Sequence, residues 1–377
     1  MRAGLPFRAR IRSAPLHRHA PVGYNGAVRL RPILGGAKLA IASTIAAVLI
    51  DASRVFAEGV AAHRSSIFDP VSTPADAVMN VALLVLGIAA AILAVVGGLL
   101  VFSLVRYRRR RDDDDSEPPQ VYGSDQIELA WTVIPAIIVL ALGIVTARTV
   151  FEIQAAPRPP DAVDVTVIGH QWWWEIRYPE LGIVTANELH VPVAGDGDTT
   201  PTFLALESAD VVHSFWVPQL AGKTDVIPNR RNAMWIAPRE PGLYLGQCAE
   251  FCGTQHAHML LRVYAHPRAE YEAWVAAEQE PAVADPAVAA GRRIFETTAC
   301  INCHTVRGTV ATGRFGPDLT HLMSRETIAA GAGTMSPAAL RAWIRDPDHL
   351  KPGARMPAMN LDDAALEPLV AYLQTLR

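Results

Sequence analysis

The chain has 377 residues, more than one typical domain, and its net charge of −3 favours no class of partner over another. Half of the residues are hydrophobic and the mean hydropathy is positive, which is unusual for a wholly soluble protein. We therefore expect two or three folded units and look for membrane segments first.

The N-terminal segment, residues 1–57, is typical of a leader. Leu39–Ile50 is an apolar stretch behind basic residues, too short to span a bilayer easily. Val55 and Ala57 are small residues at the positions that precede a signal-peptide cut. We predict a signal peptide that is cleaved after Ala57. A start codon placed too far upstream is the alternative.

Two uncharged runs follow, Ala77–Val105 and Leu129–Ala147. Each can cross a hydrocarbon core of ~30 Å as a helix that rises ~1.5 Å per residue. A pair of buried core helices is the alternative. The run RYRRRRDDDD between them, residues 106–115, marks a cytoplasmic loop. We predict a transmembrane hairpin over residues 75–150 in a bacterial inner membrane, with both chain termini in the periplasm.

Residues 160–270 predict an all-β domain. Val163, Val165 and Val167 alternate with polar residues, which is the period of a strand. Similar short runs recur between glycines and prolines, at residues 189–193, 202–206, 233–236 and 260–264. Many short strands at this spacing are typical of an antiparallel sandwich or barrel.

The C-terminal part predicts an all-α domain over residues 288–377, behind a flexible linker of Ala, Pro and acids at residues 276–287. Asp362 and Asp363 can cap the start of the last helix. That helix carries its apolar residues at helical spacing, at Leu366, Leu369, Val370 and Leu373. Gly291 and Phe295 on the first helix, with Tyr372 on the last, resemble the helix crossing of class I cytochromes c, where glycine allows a close approach.

The loop CAEFCGTQHAHM, residues 248–259, concentrates soft metal ligands. Its candidates are two thiolates, an imidazole and a thioether, from Cys248, Cys252, His256 and Met259. His213 is a further candidate upstream. This set suits copper far better than calcium or magnesium. Zinc or a disulfide is the alternative use of the two cysteines.

The motif CINCH, residues 300–304, indicates covalent attachment of haem c. Cys300 and Cys303 would form thioethers and His304 would bind the iron; a chance match or a thioredoxin-like site is the alternative. Candidates for the distal ligand are Met323, Met335, Met356, Met359 and His321. We favour Met356, because Met-Pro in KPGARMP resembles the distal-ligand loop of class I cytochromes. Methionine ligation raises the haem potential.

Together these features resemble subunit II of the haem–copper cytochrome c oxidases. The resemblance covers Ala75–Ala265 and includes IELAWTVIP, GHQWWWEIRY, ESADVVHSFWVPQLAGKTDVIPNRRN and the copper loop. With the haem motif it resembles the caa type, in which a cytochrome c is fused to subunit II. It implies a two-helix transmembrane hairpin, a cupredoxin-like Greek-key domain and a class I cytochrome c domain.

The resemblance also implies a binuclear CuA centre. Its ligands would be two bridging thiolates, two imidazoles, a thioether and a backbone carbonyl, from Cys248, Cys252, His213, His256, Met259 and Glu250. Trp172 would be the electron-entry tryptophan, and Glu128 the carboxylate near a proton channel. The Glu250 side chain matches a position that reaches magnesium at the subunit I boundary. The chain departs from the common pattern at Trp173 and at Asn229, although asparagine tolerates positive φ.

The function implied is the electron-entry subunit of a proton-pumping cytochrome c oxidase, passing electrons from haem c to CuA and to haem a of subunit I. Its partners would be subunits I and III and, as donor, a cytochrome c or a quinol–cytochrome c reductase, but no nucleic acid. Tethering should make the surface acids Glu175 and Asp210 dispensable for docking, since a short linker gives effective concentrations on the order of millimolar. The alternatives are the entry subunit of a nitric oxide reductase and a membrane-anchored copper-binding protein.

Overall fold

Two long helices begin the part of the chain that the computed structural model describes, which is residues 65–108, 120, 123–155, 158, 162–193, 201–283 and 285–377. They are α1 (Thr73–Arg106) and α2 (Asp125–Gln154), and both are long and apolar enough to cross a membrane. Their apolar side chains are exposed on nearly every face, which suits lipid and not a soluble core. The two predicted apolar helices are confirmed, whereas the proposed cut after Ala57 lies outside the described residues.

Ten strands follow the helices and form two five-stranded sheets. In chain order they are β1 (Val163–His170), β2 (Trp173–Tyr178), β3 (Ile183–Ala186), β4 (Glu188–Pro192), β5 (Thr202–Ser208), β6 (His213–Trp216), β7 (Thr224–Val226), β8 (Asn232–Ile236), β9 (Gly242–Cys248) and β10 (Leu260–His266). One sheet has the order β3-β2-β1-β5-β8 and the other β4-β10-β9-β6-β7. Each predicted run overlaps a strand, so the all-β prediction is confirmed.

The sheets are mixed, which corrects the expectation of a purely antiparallel sandwich. β1 pairs with β5 in parallel, and β4 pairs with β10 in parallel, while the other neighbours are antiparallel. The chain leaves the β1 sheet and returns to it, so strands distant in sequence become neighbours in the same direction. Buried aromatic and aliphatic side chains, including Trp174, Phe215 and Tyr244, fill the core between the sheets.

Helix α3 (Arg268–Gln279) follows β10 and packs on the β domain, where its Trp274 ring lies 5.3 Å from the Tyr178 ring. The predicted linker, residues 276–287, therefore begins inside a helix. The helix persists because Glu278 is buried and the Gln279 amide donates to Leu181 O at 3.0 Å. The flexible part of the connection is correspondingly shorter than predicted.

The C-terminal domain is helical, as predicted, with one small hairpin. Its elements are α4 (Ala289–Thr297), α5 (Cys300–Cys303), β11 (Thr327–Ile328), β12 (Gly333–Thr334), α6 (Pro337–Arg345), α7 (Pro347–Leu350) and α8 (Asp363–Leu373). Asp362 caps α8 by accepting a hydrogen bond from Ala365 N at 2.9 Å. Helices α4 and α8 cross at Gly291, where a Cβ would lie 1.9 Å from Pro368 O, and the Phe295 and Tyr372 rings are 5.8 Å apart. The predicted crossing is confirmed.

Candidate copper and haem sites

The copper loop joins β9 to β10, and strand pairing brings His213 to it. Cys248 is the last residue of β9 and pairs with Phe215 of β6, two residues beyond His213. Cys252, His256 and Met259 then follow in the loop before β10 starts. The sheet register therefore gathers residues from two separate segments.

The predicted ligand atoms lie within a few ångströms of one another. Cys248 Sγ is 3.8 Å from Cys252 Sγ, 3.9 Å from His213 Nδ1 and 3.2 Å from Glu250 O. Cys252 Sγ is 3.7 Å from His256 Nδ1 and 3.8 Å from Met259 Sδ. The sulfur–sulfur separation is far from the ~2.05 Å of a disulfide, and both cysteines are free.

These distances fit a shared metal centre. Two atoms bound to one metal cannot lie farther apart than the sum of their bonds, which is about 4.3 Å for a sulfur and a nitrogen at typical bond lengths. Each neighbouring sulfur–nitrogen pair above is closer than that limit. The set of thiolates, imidazoles and thioether is one that favours copper. Burial also characterises three of these residues, His213, Cys248 and Cys252. A buried site suits electron transfer, because little solvent has to reorganise when the charge changes.

The protonation states of this group follow from its hydrogen bonds. The hydrogen bond between the two thiols lowers the pKa of Cys248 and raises that of Cys252, so the pair shares one proton. A bound metal would displace that proton, because coordinating thiols are deprotonated. Burial lowers the pKa of His213, but hydrogen bonds with Asp210 and Cys248 outweigh burial and leave the pKa raised.

Asp210 orients His213, a role that the sequence did not reveal. His213 Nε2–H donates to Asp210 Oδ1 at 2.9 Å, which turns Nδ1 toward Cys248. Asp210 also accepts from Gln171 N and Val211 N, each at 2.7 Å. The expectation that Asp210 is a free surface acid is therefore wrong. The sequence offered one indication of its role, because Asp210 is a carboxylate three residues before a candidate ligand histidine.

Glu175 is likewise not a surface acid. Its side chain lies on the face of β2 opposite the core residues Trp174 and Ile176, and it is buried there, 2.9 Å from His170 Nε2 and 2.5 Å from Arg177 Nε. Burial raises its pKa, but these hydrogen bonds and charges leave the pKa lowered.

The haem motif lines a cavity of about 700 Å³, whose walls come mainly from the helical domain and partly from residues 170–173 of the β domain. Cys300, Cys303 and His304 all face it. His304 Nδ1–H donates to Pro317 O at 2.8 Å, so Nε2 is the nitrogen left to bind iron. Burial lowers the pKa of His304 and favours the neutral ring that a metal requires. The apolar cavity, the two cysteines and the oriented imidazole fit a haem c.

The distal-ligand candidates divide into two groups. Met335, Met356 and Met359 line the cavity. The described residues that line the cavity do not include His321 or Met323. His321 Nε2 instead lies 3.0 Å from Glu280 O. Met356 also packs against the hydrophobic core of the domain. The geometry is compatible with Met356 and leaves Met359 in reach of the same space.

Trp172 lies between the two sites. Its Nε1–H donates to Cys252 O at 3.0 Å, and its ring lines the cavity that contains Cys300 and Cys303. The side chain is half-buried and not exposed, because residues around Gly353 of the helical domain cover it. Its neighbour Trp173 stacks on His170 with ring centroids 4.3 Å apart.

The remaining predicted positions lie away from these contacts. The Glu250 carboxylate is 3.5 Å from Lys223 Nζ, and Glu128 is exposed in the first turn of α2. His258, a histidine of the same loop that is not among the predicted ligands, pairs its Nδ1 with Gln255 Oε1 at 2.7 Å. Asn229 has φ of 59°, so asparagine does take the left-handed conformation expected of it.

Three family descriptions match the chain. "Cytochrome C oxidase subunit II, transmembrane domain" matches residues 62–148, "Cytochrome C oxidase subunit II, periplasmic domain" matches 198–265, and "Cytochrome c" matches 288–377. The first two imply a membrane-anchored subunit with CuA copper, and the third implies haem c.

Curated relatives agree with these matches. Cytochrome c oxidase subunit 2 of Alkalihalophilus pseudofirmus is 37% identical over 318 residues, covering 82% of this chain and 90% of the relative. The same subunit of Bacillus sp. strain PS3 is 35% identical over 280 residues, covering 69% and 77%. The periplasmic domain of subunit II of the Bradyrhizobium japonicum oxidase is similar with 27% identity and a TM-score of 0.30, covering 33% of this chain and 97% of that one. The chain therefore belongs to the cytochrome c oxidase subunit II family, as a haem–copper oxidase subunit of the form that carries a C-terminal cytochrome c domain.

Proposed function

We propose that this subunit accepts an electron at its haem c domain, passes it to CuA and delivers it to haem a of subunit I, where oxygen is reduced to water and protons are pumped. The observation that carries the proposal is the position of Trp172. Its indole donates a hydrogen bond to the backbone carbonyl of Cys252 and lines the same cavity as Cys300 and Cys303. One aromatic side chain therefore borders both candidate redox sites.

Short distances between the ligand atoms support the proposed copper ligands, and a shared cavity supports the proposed haem ligands. The copper ions would be held by Cys248, Cys252, His213, His256, Met259 and the Glu250 carbonyl, and the haem by Cys300, Cys303, His304 and Met356. When bound, these groups would supply one-electron redox chemistry. Burial of His213, Cys248 and Cys252 would keep water from these copper ligands and hold them in place, which lowers the reorganisation energy of electron transfer.

The remaining assignments concern the membrane and the partners. The basic residues after Arg106 support a cytoplasmic loop and periplasmic termini. Glu250 would face magnesium at the subunit I boundary, and Glu128 a proton channel entry. Subunit III would complete the complex, and a cytochrome c or a quinol–cytochrome c reductase would supply electrons. A nitric oxide reductase subunit is the second candidate from the sequence, and oxygen consumption by the purified complex distinguishes the two.

The order of transfer can be tested in the intact, cyanide-inhibited complex. A flash-generated ruthenium reductant should reduce haem c first, after which the copper absorbance should change at the rate at which haem c is reoxidised. Copper reduction before haem c reduction, or haem c reduction without any copper response, would contradict the proposed path.

Asp210→Asn should weaken copper binding by about 10- to 100-fold, the usual cost of removing the partner that orients a ligand histidine. The reason is that His213 loses the carboxylate that fixes its tautomer. Copper affinity is measured by competition with a chelator. Asp164→Asn is the matched control, because Asp164 lies on β1 and its carboxylate pairs with Arg158. It should leave the copper affinity unchanged. If the two variants bound copper with equal affinity, Asp210 would not have the orienting role that we assign to it.

Met356→Leu should abolish the weak sulfur–iron absorption band in the red and lower the haem potential. Met359→Leu should change neither, although both side chains line the cavity. The expectation rests on the Met-Pro loop and on the packing of Met356 against the domain core. Redox titration and optical spectra of the two variants decide it, and the reverse pattern would transfer the role to Met359.

A further inference from the structure

Lys351 is a buried lysine at the boundary between the helical haem domain (residues 288–377) and the β domain that carries the copper loop, called the copper domain below (residues 160–270). It follows α7, and only 4% of its surface is exposed. Its Nζ donates to Trp172 O at 2.8 Å, to His258 O at 2.9 Å and to Ala329 O at 2.9 Å. An ammonium group has three N–H donors, so these carbonyls use all of them. Two of the three acceptors belong to the copper domain.

The Ala329 carbonyl comes from a backbone segment in an unusual conformation. Ala329, Ala330 and Gly331 have φ values of 54°, 60° and 85°. Left-handed φ is uncommon for residues other than glycine and is retained where surrounding contacts hold it. Here Ala329 O accepts from Lys351, and Ala330 O accepts from Leu260 N of β10 at 3.2 Å. The contacts that hold this segment therefore include one hydrogen bond across the boundary, from Leu260 N to Ala330 O.

Glu188 is the acidic counterpart of Lys351 on the copper domain. This buried carboxylate on β4 accepts from Glu326 N at 2.9 Å, from Thr327 N at 3.0 Å and from the Thr327 hydroxyl at 3.1 Å. The Gln255 amide, in the copper loop, donates to Pro352 O at 2.7 Å. Each domain thus places a buried charged group on the backbone of the other.

A buried charge is costly unless its hydrogen bonds are complete. Lys351 and Glu188 meet that condition in one relative placement of the domains, because most of their partners are backbone atoms with fixed positions. Sliding of the haem domain would break two of the three Lys351 bonds and the bonds of Glu188 to Glu326 and Thr327. A single placement is therefore strongly favoured over a family of loosely docked ones.

We propose that Lys351 is a positioning residue that locks the haem domain onto the copper domain in one pose, with Trp172 enclosed between them. Its consequence rests on the proposed function: electrons pass from haem c to copper without the haem domain first having to diffuse to a docking position. The covered face of Trp172 is then closed to an external donor, which must reduce the haem domain instead.

The first test uses the intact wild-type oxidase. Pulsed EPR in frozen solution measures the distances between oxidised haem c and mixed-valence CuA, and one narrow distribution is expected. Flash kinetics should show a transfer rate that does not change with solvent viscosity. A broad distribution together with a viscosity-dependent rate would overturn the single pose, even though transfer itself would still support the proposed function. One narrow distribution without any transfer would support the pose and defeat the proposed function.

The second test replaces Lys351 with methionine, which keeps a long apolar side chain and removes the ammonium group. We expect a broader distance distribution, a rate that is lower by about 10-fold or more and newly viscosity-dependent, and unchanged copper and haem spectra. Amide hydrogen exchange at Leu260 and Thr327 should also accelerate, which is a readout independent of the cofactors. Arg341→Met is the control, because its ion pairs with Asp363 and Glu367 lie within the haem domain.

Wild-type distances, rates and exchange in Lys351→Met would overturn the role of Lys351. Should that variant fail to assemble, Glu188→Gln carries the same expectation from the other side of the boundary, since it removes the charge that accepts from Glu326 and Thr327. Unchanged exchange at Thr327 in Glu188→Gln would also overturn the lock.

Discussion

Cys248→Ser is expected to abolish the mixed-valence copper EPR signal and oxidase activity while leaving the haem c spectrum intact. A serine hydroxyl does not ionise near neutral pH and cannot replace a bridging thiolate. Cys248 lies at the centre of the cluster, within 3.9 Å of both Cys252 Sγ and His213 Nδ1. EPR and optical spectra of the purified variant measure the two sites separately.

Cys300→Ser is the reciprocal control. It should remove one thioether bond, which shifts the haem absorption, and it should preserve the copper signal, because the cysteines of the two sites lie in different domains. A delocalised two-copper spectrum that survives in Cys248→Ser would show that the bridging assignment is wrong.

Trp172→Gln is expected to slow transfer from haem c to copper by orders of magnitude, while high salt should slow it little. The substitution removes the aromatic ring between the sites and its hydrogen bond to Cys252 O. Salt should have little effect because the contacts across the boundary are largely buried, and buried charges are screened much less than exposed ones. Flash kinetics on the intact oxidase, at low and high ionic strength, measure both effects.

Two further variants make this experiment specific. Trp173→Gln applies the same change to the adjacent residue, whose ring stacks on His170, and should have a much smaller effect. Trp172→Phe keeps an aromatic ring but loses the Nε1–H bond to Cys252 O, so it separates the two contributions. A salt-sensitive rate that is indifferent to Trp172 would mean that the haem domain donates from another position.

The connection between the β domain and the haem domain differs from the flexible linker that the sequence predicts over residues 276–287, whose high effective concentration would make docking affinity matter less. In the structure α3 continues to Gln279, and Arg307 of the haem domain donates to Glu278 O and Gln279 O beside it. The weak salt dependence remains expected, but it follows from a buried contact and not from high local concentration.

Local sequence was sufficient for the features that depend on neighbouring residues. Hydropathy alone predicts α1 and α2, since crossing a bilayer is a matter of length and apolar composition. The motifs at Cys248 and Cys300 are compact because most of their ligands lie on one loop or turn, whereas His213 and Met356 come from other segments. The Asp362 cap and the Gly291 crossing were also predictable, the first from the helix start and the second from the resemblance to class I cytochromes.

Only the tertiary structure decided which polar groups serve these sites. Trp172 and Lys351 are 179 residues apart, and nothing in either local pattern indicates that they meet. The sequence suggests that Asp210 and Glu175 are surface acids, because carboxylates usually are, yet contacts with His213 and His170 tie both into the fold. Burial and hydrogen-bond partners depend on how distant elements pack, so the sequence by itself determined the ligand motifs and the membrane helices, whereas packing decided their orientation and the pose of the haem domain.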